Sequence, residues 1–411
     1  MKEDWQPFRL SEICENITDG KHGDCTPEPN SGFYFLSAKD VADGHLLYDN
    51  ARQITETDFA EAQRRTRLEP NDILFTNSGT IGRMAIAKHH ERTCQTTFQK
   101  SVAILKPRGS RVNPRFLYDL LRYDNSRLSD LAAGTAQKNL LLVHLRNFVV
   151  RIPNLTIQRK ITAVLSAYDD LIENNTRRIQ ILEEMAQTLY REWFVHYRFP
   201  GHEQSNMVES EMGGIPEGWA AKELSLCVSI HKGKQPPLIS QEELTGFVPY
   251  LLIDSIKNGA SQFVDPKKLI IAREQDTLMV MDGASSGLVT IGAAGVVGST
   301  LAAIKTVDAS VISPYLLFHF LVDNRQKILM NNTGSAIPHA NKDFINNLLF
   351  HVPTRLVNAD FDSIAGQVHN LTAKLKAKNR NLSQTRDLLL PKLISGEVDV
   401  ADLDIASGEQ T

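Results

Sequence analysis

The chain has 411 residues, more than one compact core usually holds, so length alone predicts two domains or a few. Hydrophobic residues make up 42% and charged residues 23%, globular proportions that exclude wholesale disorder. Lysine and arginine number 45 against 48 acidic residues, a net charge of −3, so there is no global positive field and any surface for nucleic acid has to be local.

At the start of the chain, Lys2, Glu3, Asp4 and Arg9 stand where a signal peptide needs an apolar stretch, which predicts a cytoplasmic protein. The next elements are short alternating stretches, such as Phe33-Tyr34-Phe35-Leu36-Ser37 and Val102-Ala103-Ile104-Leu105, bounded by Gly, Pro, Asn and Asp; these are strand and turn signals. A short apolar helix is predicted to open at Pro114, where proline suits the first turn. A glycine-rich loop and an Ile152-Pro153 step follow, and then a long helical pattern.

The second half restates this order. Asn113-Pro114 recurs as Ser313-Pro314, Gly134 as Gly334 and Ile152-Pro153 as Val352-Pro353, each 200 residues on. Upstream, the stretch from Asp72 to Gly79 matches that from Asp276 to Gly283, and Trp5 pairs with Trp219. The uncharged residues 287–304 are interrupted by Gly287, Gly292, Gly295 and Gly298, so they read as strands and turns of the second copy, and no membrane segment is expected.

Each copy closes on a long helix with apolar residues at spacings of three and four. The expected seam residues are Ile161, Tyr168, Leu171, Ile179 and Leu182 in the first helix, with Ile364, Leu371, Leu375 and Leu382 in the second. A helix of roughly 38 residues would be about 57 Å long at 1.5 Å per residue, well beyond the usual globular length. Two such helices in equivalent places are expected to pack as an antiparallel coiled coil, although two ordinary core helices would give a similar stripe. The predicted fold is therefore α+β, with two pseudo-repeated α/β domains separated by helices. The boundaries are 1–152 and 219–352 for the domains, 153–197 and 353–398 for the helical regions, 198–218 for a linker and 399–411 for a tail.

Chemistry-bearing motifs are missing: there is no Walker loop, GxSxG elbow, HExxH or GxGxxG, and no nucleophile, base and orienter come together. Cys14, Cys25, Cys94 and Cys227 form no CxxC pair and no zinc-spaced cluster. A duplicated, motif-poor chain reads as a binding scaffold, in which two linked modules engage an extended ligand. A scaffold for protein partners alone, or a hydrolase whose site assembles from distant residues, are the competing readings.

Several residues carry a family resemblance. They are Gly214-Ile215-Pro216-Glu217-Gly218-Trp219, Ile152-Pro153 leading into Ile157-Gln158-Arg159-Lys160-Ile161, Asp169-Asp170-Leu171-Ile172-Glu173-Asn174, and the ending from Arg386 to Gly396. Together they resemble the DNA specificity subunit of type I restriction-modification enzymes, over essentially the whole chain. The resemblance implies two target-recognition domains, each reading one half of an asymmetric bipartite site in double-stranded DNA. It also implies that the helices set the half-site spacing and dock two methyltransferase subunits, joined in a restricting complex by two restriction subunits. On that reading the chain is not an enzyme by itself and binds no cofactor. The partners would use S-adenosylmethionine for adenine methylation, and ATP with Mg for cleavage, in the bacterial or archaeal cytoplasm at the nucleoid.

Phosphate contacts need cationic or polar side chains, and base contacts need hydrogen-bonding side chains in the groove. The first-copy candidates on glycine-punctuated loops are Lys21, His22, Ser78, Thr80, Arg83, Gln137 and Lys138. Their second-copy counterparts are Lys232, Lys234, Ser285, Ser286, His339 and Lys342. For each, a solvated hairpin turn is the competing interpretation.

Overall fold

The structure is a computed structural model that describes residues 5–42, 44–132, 138–210, 213–334 and 338–405; the side chains of 256–258 are not described. It divides into two compact units, residues 1–173 with 380–411, and residues 174–379. Each unit therefore takes part of both long helices, Leu155–Tyr190 and Arg355–Ser395, whereas the sequence suggested helical regions separate from the domains.

In the first unit a four-stranded antiparallel sheet runs in the order Cys14–Asp19, Val102–Pro107, Ile73–Thr76, Met84–Ile86. In the second the order is Val228–Lys232, Leu301–Thr306, Thr277–Val280, Val289–Thr290, again antiparallel. Each unit also pairs its opening strand with the strand that enters the long helix: Gln6–Arg9 with Val149–Ile152, and Ala220–Glu223 with Leu349–Val352. A parallel pair recurs as well, Tyr34–Leu36 beside Thr96–Phe98 and Val248–Leu251 beside Gly295–Val297. The repeat read from the sequence is thus a repeat of topology.

The short apolar helices form as their sequences direct. Helix Pro114–Tyr123 is capped by Asn113, whose side chain accepts the Phe116 amide, and Pro314–Asp323 by Ser313, which accepts the Leu316 amide. Each packs into its unit's core. Phe116, Leu117, Leu120 and Leu121 join Trp5, Ile161, Leu165, Leu393 and Ile394 in the first unit; Leu316, Phe320 and Leu321 join Trp193, Phe194, Trp219 and Phe361 in the second. At about 1.5–3 kcal/mol per buried large side chain, these clusters dominate the gain from folding.

Within each unit the long helices pack antiparallel. In the first, Arg386 pairs with Asp169 at 2.5 Å, and Lys160 donates to the carbonyls of Ala401 and Leu403. In the second, Asn175 donates to Asn379 at 2.8 Å and Lys376 reaches Glu183 at 2.8 Å. The buried stripe follows the heptad pattern through Ile161, Leu165, Tyr168, Ile172, Asn175, Ile179, Leu182 and Ala186. In the second helix it runs through Phe361, Ala365, Val368, Thr372, Leu375, Asn379, Leu382 and Arg386. Of the expected seam residues, Ile161, Tyr168, Ile179, Leu182, Leu375 and Leu382 lie on it. Leu171, Ile364 and Leu371 do not: they are 44%, 42% and 40% exposed. Each stands one position before a seam residue, Ile172, Ala365 or Thr372, so side-chain size misplaced the register there.

The two units differ where the short helix meets the long ones. In the first, Arg115 bonds Asp119 and Asp169, and Arg386 also holds Asp169. The residues 200 positions on are Tyr315, His319 and His369. Tyr315 stacks on His369 with centroids 4.9 Å apart, and the two imidazole Nε2 atoms meet at 3.1 Å.

Residues 198–218, expected to be a linker, carry two strands, Met207–Ser210 and Gly213–Pro216, that pair antiparallel. Among the described residues no helix is long and apolar enough to cross a membrane.

Candidate nucleic-acid interface

In both units the candidate residues gather at one end of the four-stranded sheet. In the first unit, strand Cys14–Asp19 runs into Gly20, whose amide donates to the Val102 carbonyl. A Cβ there would lie 2.1 Å from the Phe98 carbonyl oxygen, so only glycine fits. Next to it the Lys100 amide donates to Lys21, and the Asn77 amide to Ser101. The loop after strand Ile73–Thr76 is closed by the Gly82 amide on Thr76. It is also bridged to Asn139, through Ser78 and through the Leu140 amide on the Asn77 carbonyl. Ser78, Thr80, Arg83 and Lys138 are thereby brought to one loop cluster, with Thr80, Arg83 and Lys138 exposed. Gln137 lies outside the described residues.

Lys21 sits at this edge but is not a free cation. Its Nζ is 3.1 Å from Asp58 and 2.9 Å from Glu61, and its side chain is only 14% exposed. Its hydrogen bond to Glu61, and then that to Asp58, raises its pKa; Asp58 is held down to about 2 by the Thr26 amide first and by Lys21 next. His22 is exposed with Nε2 3.1 Å from Asp19, which also takes Arg65 at 2.5 Å. These acidic partners lie 37 and 40 residues from Lys21 and 46 from Arg65, and no local sequence signal announces them.

The second unit builds the same edge. Strand Val228–Lys232 runs into Gly233, whose amide donates to Leu301 and whose Cβ would meet the Gly298 and Val297 carbonyls at 2.2 Å. Lys234, the counterpart of Lys21, is exposed, and none of the hydrogen bonds and ion pairs seen among the described residues involves it. Lys232 reaches Asp282 at 3.0 Å. Asp282 in turn bridges His339, in the places taken by Ser78 and Asn139, and its Oδ1 is 2.8 Å from His339 Nδ1. Burial works against the Asp282 carboxylate, but hydrogen bonds from His339 and Lys232 outweigh it, so it titrates below the usual carboxylate range. Sequence reasoning passed over this aspartate, although it aligns with Ser78 in the repeat.

Ser285 is half-buried in this loop, and Lys342 is exposed at the start of the short helix Lys342–Asn346. Ser286 is a correction: it is 1% exposed, and its hydroxyl accepts the Asn332 side-chain amide at 2.6 Å. It holds the loop together and cannot reach an external ligand. Among the described residues no group of three or more His, Cys, Asp or Glu is placed to hold a metal ion.

What the edge can do is hydrogen-bond a polyanion: exposed cations and hydroxyls on rigid, glycine-turned loops suit phosphate oxygens and base edges. Comparison with known proteins agrees with that chemistry. Residues 2–184 match the family model described as the type I restriction modification DNA specificity domain. The type I restriction enzyme MjaIX specificity subunit of Methanocaldococcus jannaschii is 24% identical over 98% of this chain and 95% of its own length. The type I restriction enzyme HindI specificity subunit of Haemophilus influenzae is 21% identical over 96% of this chain and 100% of its own. Among solved structures, the S subunit of a type I restriction-modification system from M. genitalium covers 96% of this chain and 97% of its own, with a TM-score of 0.60 at 15% identity. Residues 2–184 thus match the type I DNA specificity domain, and over nearly its whole length the chain is similar to type I specificity subunits in sequence and to a solved S subunit in fold.

Proposed function

We propose that this chain gives a type I restriction-modification complex its DNA sequence specificity, each unit reading one half of an asymmetric bipartite target. The observation that carries this reading is the duplicated sheet edge. The backbone plan is the same in both units, down to the glycine that follows the first strand of the four-stranded sheet. The side chains on it differ, with Ser78 and Asn139 in one unit against Asp282 and His339 in the other. A shared scaffold with divergent contact residues suits two half-sites of unlike sequence, because phosphate contacts position and base contacts specify.

The long helices set the half-site spacing and dock two methyltransferase subunits, which bring S-adenosylmethionine and perform adenine methylation. Restriction subunits, where present, bring ATP and Mg for cleavage. The near-neutral total charge and the internally paired Lys21 and Arg65 point to weak DNA binding by the isolated chain and strong, salt-sensitive binding by the complex.

The test is modification-sensitive sequencing of host DNA with and without this gene. Loss of one methylated two-part motif is expected. A methylome that is unchanged although this chain co-purifies with an active methyltransferase would overturn the assignment.

A further inference from the structure

His339 is held from three directions. Its backbone amide donates to Thr333 at 2.7 Å, its carbonyl accepts the Thr333 amide at 2.9 Å, and its ring Nδ1 meets Asp282 at 2.8 Å. Asp282 is itself fixed by Lys232. An ionised carboxylate only accepts, so Nδ1 carries a proton and the tautomer is determined. The ring is 48% exposed, and its Nε2 has no hydrogen-bond partner among the described residues. A half-exposed imidazole with a locked orientation and an open nitrogen, on the loop edge of the sheet, is more than a charged surface group needs.

Resting on the reading above, the geometry points to His339 as a specificity-determining residue for the half-site read by the second unit, with Asp282 as its positioning residue. In the neutral ring Nε2 is a bare acceptor and matches the amino group of adenine or cytosine in the major groove. In the protonated ring it is a donor and matches N7 or O6 of guanine. Either way the nitrogen reads one base position, and the first unit, with Asn139 and Ser78 in these places, presents no imidazole there.

The test uses the complete methyltransferase complex and duplexes carrying each of the four base pairs at every position of both half-sites. His339→Asn is expected to relax discrimination tenfold or more at one position, in one half-site only, with the other half-site unaltered. Asp282→Asn keeps the ring but frees its tautomer, so it should relax the same position. A target profile identical to wild type in His339→Asn would overturn the inference, as would an equal loss of binding for every sequence. Failure of the parent reading looks different: the wild-type complex would then select no bipartite sequence at all.

Discussion

The two units solve one packing problem with opposite chemistry. Where the short helix meets the long ones, the first unit buries an ionic cluster of Arg115, Asp119, Asp169 and Arg386, which touches the helix seam at Arg386, and beyond it the seam is apolar at Ile161, Leu165 and Leu393. The second unit buries neutral rings at that junction, Tyr315, His319 and His369, and places its polarity in the seam, where Asn175 pairs with Asn379. Each unit thus keeps one polar layer that is satisfied only in one alignment of its elements, and it does so in a different place. Buried polar pairs of this kind contribute more to register than to stability.

The largest effect is expected in the seam of the second unit. Leu375→Asp puts an unpaired carboxylate where the side chain is buried and should cost about 3–5 kcal/mol, whereas Leu371→Asp, four positions earlier and exposed, should stay within about 0.5 kcal/mol. Denaturant unfolding of the two variants measures the difference; equal losses would mean the seam lies elsewhere.

Somewhat smaller is the loss from Arg115→Met, which leaves the 1% exposed Asp119 with only Arg122, at 3.8 Å, beside it. About 3 kcal/mol is expected. In hydrogen exchange the loss should be confined to peptides of the first unit, while Tyr315→Phe, at the matching place in the second, leaves protection unchanged.

Acid should separate the units next. His319 donates from Nδ1 to Gln187, so its Nε2 accepts from His369, an arrangement that requires a neutral His319. Burial, and for His319 also the neighbouring His369, holds both pKa values well below the ordinary histidine value. The unfolded chain then binds protons that the folded chain does not. The stability they contribute is complete above about pH 6.5 and is lost as pH falls from there towards the folded pKa values, at about 1.4 kcal/mol per pH unit for each group. From pH 7 to pH 5 each of the two histidines should cost the second unit about 2 kcal/mol. Asp119 in the first unit shifts the opposite way, raised by burial, and so gives no matching loss. Calorimetry across this range should show the second unit's transition moving down first.

The smallest expected difference concerns DNA. Lys234→Ala should lower the slope of log affinity against log salt for the complex by about 1, one phosphate contact, and Lys21→Ala, already paired with Asp58 and Glu61, should leave it unchanged. Equal effects would erase the contrast between the two lysines.

How far the sequence could be read follows from the range of the interactions. The repeated order of elements, the short helices opened at Pro114 and Pro314 and both long helices were legible because they depend on spacing and local chain chemistry. The seam register slipped at Leu171, Ile364 and Leu371, where large apolar residues adjoin the true seam positions and the smaller Ala365 and Thr372 do the packing. At the sheet edge the glycine loops were legible as turns. The fates of Lys21, engaged by acids far along the chain, and of Ser286, buried under Asn332, depend on contacts that no local pattern encodes. The aspartate behind His339 was overlooked for the same reason, since 57 residues separate them.

The division of the chain between the units has a consequence for its synthesis. The second unit is one contiguous stretch, residues 174–379, and can close its core as soon as that stretch has left the ribosome. The first unit cannot: Leu393, Ile394 and Val400, all in its core, are made last. Until they arrive, Trp5, Ile161 and Leu165 lack part of their apolar cover. The unit translated first is therefore the one completed second.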